Sequence, residues 1–168
     1  MNPDARERAA ADIVEIDLTA LHPAEPRVLR WHDLPVFVVR RTLAMLAAMQ
    51  EPDFVGKLVD PDSHKRQQPA YAKNWHRSIE PTVAVLIGVC TARGCVPTYA
   101  GDAAALTMPG GYICPCCASH YDPAGRAYAG IAQYNLPVPP YSLVRPANLL
   151  LGKNPPGELF SLHGIERI

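Results

Sequence analysis

Val83-Ala-Val-Leu-Ile-Gly-Val-Cys90-Thr-Ala-Arg-Gly-Cys95 is the stretch on which the reading of this chain turns. Val83 to Val89 is an unbroken apolar run rich in β-branched residues and too short for an ordinary helix, which predicts a strand buried on both faces. It delivers the backbone straight into a cysteine, and a Thr-Ala-Arg-Gly turn leads to the next. The remaining cysteines follow as Cys114-Pro-Cys116-Cys117, so all five lie between positions 90 and 117, with Pro97, Pro109, Gly110 and Gly111 between the two boxes. Two boxes on loops are how a β scaffold brings thiolates together. Metal ligation, disulfide bonding and redox exchange all remain open to such a constellation. Two disulfides with one spare thiol satisfy the count, and a structural zinc on Cys90, Cys95, Cys114 and Cys117 comes near the common ribbon spacing without matching it.

Working outward, the 168 residues include 18 Pro and 11 Gly and carry 16 basic against 16 acidic side chains. Length bounds the answer to one domain, and so much proline disfavours a helical bundle and favours a loop-rich, mostly β fold. Zero net charge leaves no broad footprint for nucleic acid or an anionic membrane. No stretch approaches the roughly 18 apolar residues of a membrane span. The N-terminus, MNPDARERAAA, has no apolar core and is not a secretory signal, and Arg40-Arg41 is poorly placed for a twin-arginine signal.

Ile13 to Leu18 alternates Val14, Ile16 and Leu18 with Glu15 and Asp17, the pattern of a half-buried strand. Val28 to Trp31 and Val36 to Val39 read as a hairpin around His32-Asp33-Leu34-Pro35. Thr42 offers an N-cap to a helix over LAMLAAMQ, closed by Pro52, with Leu43, Leu46 and Ala47 facing the sheet. Asp53 to Ser78 reads as a polar, solvated loop in which Tyr71, Trp75 and His76 stand out, and its length is more often found in functional or pinned segments. Tyr121 to Tyr128 predicts a hairpin around Pro123-Ala124-Gly125, and Val138 to Val144 and Asn148 to Leu151 predict short strands. Gly152 to Ile168 shows no strong pattern.

Taken whole, Gly88-Val-Cys90-Thr-Ala-Arg-Gly-Cys95-Val-Pro97 and Gly110-Gly-Tyr-Ile-Cys114-Pro-Cys116-Cys117-Ala-Ser119-His-Tyr121-Asp122 resemble the two cluster-binding boxes of the Rieske iron-sulfur subunit of bacterial cytochrome bc1 complexes. The likeness extends to VEIDL, LPVFVVRRT, QQPAYAKNWHRSI and YNLPVPPY. It implies an all-β fold, a Rieske-type antiparallel sandwich with a small cluster-binding subdomain and one inserted helix. The implied layout is a tether-like segment at 1–11, a Rieske-like domain at 12–152 with its cluster-binding part at about 88–136, and a C-terminal tail at 153–168.

In that family the boxes read C-T-H-L-G-C and C-P-C-H-G-S. The first Cys and the His of each box hold a [2Fe-2S] cluster. By position, Cys90 and Cys114 match the thiolate ligands, and Cys95 and Cys116 match a disulfide joining the loops. Ser119 and Tyr121 match the hydroxyls that hydrogen-bond the cluster and a ligand sulfur. The resemblance implies electron transfer from ubiquinol to cytochrome c1, with cytochrome b and cytochrome c1 as partner subunits and no nucleic acid. It also implies a seat on the periplasmic face of the inner membrane, where an oxidising compartment allows the disulfide, with membrane contact only through partners or an N-terminal anchor.

Both histidine positions are substituted, by Ala92 and by Cys117. Arg93 stands where the family has a docking Leu, and Ala118 where it has a Gly. The family's cover loop G-P-A-P-x-N-L is Gly130-Ile-Ala-Gln-Tyr-Asn-Leu136 here, without prolines. Loss of imidazole lowers a cluster's potential, and the alanine cannot accept a proton. His120 reads as a surface residue, and His64, His76 and His163 are remote. Three roles therefore stand together: an electron-transfer subunit with altered ligation, a clusterless structural or assembly subunit of the same fold, and a metal-binding module using Cys90, Cys114 and Cys117.

Overall fold

The strand expected at the head of the first cysteine box is β4, Val83–Ile87, and all five of its residues are buried in the computed structural model, which describes residues 12–101 and 110–168. The other strands are β1 Val14–Asp17, β2 Pro26–Trp31, β3 Leu34–Arg40, β5 Thr98–Gly101, β6 Gly111–Ile113, β7 His120–Tyr121, β8 Tyr141–Val144 and β9 Asn148–Leu151. They form three antiparallel three-stranded sheets, ordered β2-β3-β4, β1-β9-β8 and β5-β6-β7. The fold is all-β as expected, and its core joins Val36, Val38, Val85 and Ile87 to Ile16, Tyr141, Leu149 and Leu151.

The β2-β3 hairpin turns on His32 and Asp33 alone, both at positive φ (47° and 62°). That is the primed two-residue turn whose twist matches its strands. Leu34 and Pro35 therefore lie inside β3 and not in the turn. Val14, Ile16 and Leu18 point inward as their alternation predicts, with Ile16 fully buried.

Thr42 caps α1, Leu43–Ala48, by accepting a hydrogen bond from Met45 N at 3.1 Å. The inward face differs in part from the one expected. Leu46 is buried as its spacing predicts, but Leu43 is 79% exposed and Ala47 is also exposed, and the flexible Met45 and Met49 are buried in their place, with Leu46 and Met49 packed on Ala124 and Trp75. Pro52 opens a second short helix, α2 Pro52–Val55, as a first-turn proline can, besides closing the first. The expected strand from Val138 begins only at Tyr141, because the preceding prolines cannot donate to a ladder. Three strands were not expected, β5, β6 and β7, all only two to four residues long. Tyr121 to Tyr128 does fold back as predicted, with Tyr121 bridging Ala127 and Gly125 N donating to Asp122 O.

The solvated-loop reading of 53–78 fails, because this segment is held by buried polar groups. Asp60 accepts from His64 N and Lys65 N, and Gln67 is fully buried with its amide spent on Asn135 O, Arg167 O, Glu166 N and Arg167 N. Arg77, fully buried at φ 50°, donates to Ala124 O, Leu136 O and Gln68 Oε1. Arg41 donates to Pro81 O, His76 O and Ser78 Oγ. Of the residues singled out there, Tyr71 stacks edge-on against Tyr141, His76 meets Ser78, and Trp75 packs on Leu46, Met49 and Ala124. All three are structural. The C-terminal residues are also engaged: Glu166 N donates to Arg66 O, and Arg167 Nε reaches Thr91 O at 3.1 Å, inside the first cysteine box.

Candidate metal centre

The two cysteine boxes adopt the same backbone course. Cys90 N donates to Cys95 O and Gly94 N to Cys90 O; in parallel, Cys114 N donates to Ser119 O and Ala118 N to Cys114 O. The fifth residue of each turn is left-handed, Gly94 at φ 73° and Ala118 at φ 54°. Glycine adopts that conformation freely; the Cβ of Ala118 opposes it by about 1–2 kcal/mol. β4 and β6 hold the roots of the two loops. Gly88 makes the first exit possible, since a Cβ there would lie 2.5 Å from the ring of Phe37, which stacks on Tyr112 of β6 at 5.2 Å.

A disulfide between Cys95 and Cys116 ties the loops together, the pairing the resemblance implied. Cys90, Cys114 and Cys117 are free thiols. This overturns both alternatives that the spacing left open, because a pair of disulfides would leave one thiol and a four-cysteine zinc site would need Cys95 unpaired. The three free sulfurs all lie within 4.8 Å of one another, with Cys90 Sγ 3.8 Å from Cys117 Sγ. Cys90 and Cys114 are buried, and Cys117 is half-exposed.

Hydroxyls surround this group. Tyr121 donates to Cys90 Sγ at 3.4 Å, and its oxygen is itself fixed by Thr91 N at 3.2 Å. Thr91 Oγ1 bonds Tyr134 O at 2.7 Å, pinning the cover loop to the first box. Ser119 Oγ lies 3.1 Å from Cys117 Sγ, and this hydrogen bond draws the Cys117 thiol down to about 7. Burial pushes the Cys114 thiol up to about 11. Tyr121, desolvated and hydrogen-bonded to Cys90, stays protonated far above neutrality.

The cover loop lacks its expected prolines but is not loose. Gln133 Nε2 closes on Gly130 O at 2.6 Å, Lys65 Nζ on Gln133 O at 2.6 Å, and Asn135 donates to Asp60 O while accepting from Ala127 N. Side-chain hydrogen bonds replace the ring constraints. Ile131, 57% exposed, lines two cavities of about 310 Å³ each, one also lined by Ala92, Arg93, Tyr134 and Arg167, the other by Cys117, His120 and Tyr128.

Beneath the centre lies a charge network that the sequence did not advertise. Asp122 and Arg126 form a buried ion pair at 2.7 Å, with Arg126 also donating to Met49 O. Asp122 Oδ1 further accepts from Ala124 N and Arg126 N, which shapes the turn that carries Tyr121. An Asp four residues before an Arg across a Pro-Ala-Gly turn was the available signal.

The ubiquinol-cytochrome c reductase iron-sulfur subunit of Allochromatium vinosum is 42% identical to this chain over 159 residues, covering 92% of this chain and 76% of its own length. The chain belongs to the Rieske iron-sulfur subunit family. Two Nicotiana tabacum relatives, the mitochondrial cytochrome b-c1 complex subunits Rieske-1 and Rieske-4, are 39% and 40% identical over 140 residues. The chain spans about half the length of those plant proteins (48% and 52%). A chain of the hyperthermophilic respiratory Complex III shares the fold, with a TM-score of 0.52 at 22% identity over 87% of this chain and 80% of its own. No family model matches the chain.

A two-iron cluster takes four protein ligands, two on each iron. Among the described residues the converging donors are Cys90, Cys114 and Cys117, which is three. Ala92 presents only a methyl group at one imidazole position. At the other stands Cys117, whose Sγ lies 3.8 Å from Cys90 Sγ. His120 is half-buried and stands outside the converging set. The donor set does not fit a Rieske [2Fe-2S] centre.

Proposed function

We propose that this chain serves as the Rieske-type subunit of a bc1-type quinol:cytochrome c oxidoreductase, taking the seat whose family role is to carry electrons from ubiquinol to cytochrome c1. Its partners are cytochrome b and cytochrome c1, and it works on the periplasmic face of the inner membrane. The observation that carries this reading is the identity to the Allochromatium vinosum subunit across nearly the whole chain, scaffold and loops together. The Cys95–Cys116 disulfide supports an oxidising compartment. Among the described residues no helix is long and apolar enough to cross a membrane; membrane contact is through partner subunits or an N-terminal anchor.

Within that seat the centre is altered. The family places a [2Fe-2S] cluster between the boxes; here Cys90 and Cys114 stand at its thiolate positions, with Ser119 and Tyr121 as hydrogen-bonding neighbours, but both imidazoles of the second pair are replaced, one by Ala92 and one by the thiol of Cys117. Ala92 can neither accept a hydrogen bond from quinol nor take its proton. Arg93, exposed at the tip, replaces an apolar docking contact with a charge. The subunit therefore preserves the place of the Rieske head in the assembly without its quinol-oxidising imidazole.

Co-expression with the cytochrome b and cytochrome c1 subunits, followed by affinity purification of tagged cytochrome c1 from solubilised membranes, tests the reading. This chain is expected to co-purify in stoichiometric amount. Its absence from complexes that still contain both cytochromes would refute the proposal.

A further inference from the structure

We propose that Cys90, Cys114 and Cys117 form a binding site for one thiophilic closed-shell metal ion of the zinc type, in place of a two-iron cluster. Sulfurs arranged tetrahedrally about a single ion at a bond length of about 2.3 Å stand about 3.8 Å apart. Cys90 Sγ and Cys117 Sγ are separated by 3.8 Å, and the third sulfur lies within 4.8 Å of both. The separation is that of two ligands on one ion.

The site is also built before metal arrives. The disulfide and the matched backbone turns fix the roots of all three thiols, so little ordering remains to be done on binding. The Tyr121 hydroxyl aims at Cys90 and the Ser119 hydroxyl at Cys117, the outer hydrogen bonds that orient thiolate ligands and offset their charge. Soft sulfur donors select soft ions. Two of the thiols are buried, whereas half-exposed Cys117 borders a cavity of about 310 Å³ that offers an entry path. A four-coordinate ion would keep its fourth position for water or an added ligand. On binding, three S–H bonds are replaced by three metal–sulfur bonds and three protons pass to solvent; no electron is transferred.

The test uses the full chain purified anaerobically without thiol reductant, so that the Cys95–Cys116 bond is kept. Titration with Zn²⁺ against a chromogenic chelator is expected to give one ion per chain. Co²⁺ is expected to show intense sulfur-to-metal charge transfer. Cys117→Ser, at a half-exposed position, keeps the fold by circular dichroism and weakens zinc binding more than about a hundredfold, since even outer-shell losses cost tenfold to a hundredfold. Ala92→His combined with Cys117→His restores four donors and is expected to take up two irons and two sulfides on reconstitution, where the parent takes up none. Stoichiometric iron and sulfide in the parent chain, unchanged zinc affinity in Cys117→Ser, or thiols found paired as a second disulfide would each overturn the proposal. These readouts concern the isolated chain, so their failure is separable from a failure to join the cytochromes.

Discussion

Replacing Asp122 by Asn tests the electrostatics beneath the centre. Arg41, Arg77 and Arg126 are all buried, and Asp122, itself fully buried, is the anion that faces all three, with Asp60 adding to Arg77. Burial pulls the guanidinium of Arg77 down to about 9 and that of Arg41 to about 10, and in both cases Asp122 opposes the shift. Asn retains an oxygen for Ala124 N and Arg126 N but removes the charge 2.7 Å from Arg126. An uncompensated buried charge costs about 3–5 kcal/mol. For a chain of this size that corresponds to a fall in Tm of about 6–20 °C. Thermal and urea unfolding of oxidised protein, followed by circular dichroism, measures it. Adding Arg126→Met should recover a large part of the loss, because a neutral pair leaves no stranded cation. A loss below about 1 kcal/mol for Asp122→Asn, or simple additivity with Arg126→Met, would refute the argument that this carboxylate compensates the buried cations.

Ala118→Gly should stabilise the fold by about 1 kcal/mol in urea unfolding, by relieving the left-handed alanine at φ 54°; a destabilisation would contradict it. The double variant Cys95→Ser with Cys116→Ser opens a link between residues 21 apart. Chain entropy puts its cost at about 3 kcal/mol, or about 6–12 °C in Tm, and an unchanged Tm would show that the loops hold without it. Burial, with Arg41 adding to it, lowers His76 to about 4. Between pH 4 and its ordinary value of about 6.5 the unfolded chain binds a proton that the folded chain does not, so this contribution is complete above pH 6.5 and is lost as pH falls toward 4. Partial exposure limits it to about 1–2 kcal/mol, and stability of His76→Gln should be flatter across that window than stability of the parent.

The strands written in strong local patterns were legible. The unbroken β4, the alternation of Val14, Ile16 and Leu18, and the β2-β3 hairpin need only period and turn chemistry. β5, β6 and β7 were not, because they are a few residues long and owe their pairing to the loops they support. The inward face of α1 was legible only in part for a related reason: Leu46 is buried as its spacing predicts, but flexible Met45 and Met49 take the inward places expected for Leu43 and Ala47. The candidate centre divides the same way. Five clustered cysteines announce it, and the family pattern assigns Cys95 to Cys116. Only three dimensions reveal that Cys117 approaches Cys90 closely enough to share one ion. The polar segment 53–78 was the largest failure, since Asp60, Gln67 and Arg77 look solvated until their partners, nine to a hundred residues away in sequence for Gln67 and Arg77, are brought beside them.

Acid-labile sulfide, measured together with iron and zinc on the full chain isolated anaerobically from membranes, bears most directly on the claim that a Rieske scaffold here carries a thiol triad and not a two-iron centre. The expected result is no stoichiometric iron or sulfide and one thiophilic ion per chain. Two irons and two sulfides per chain would contradict it.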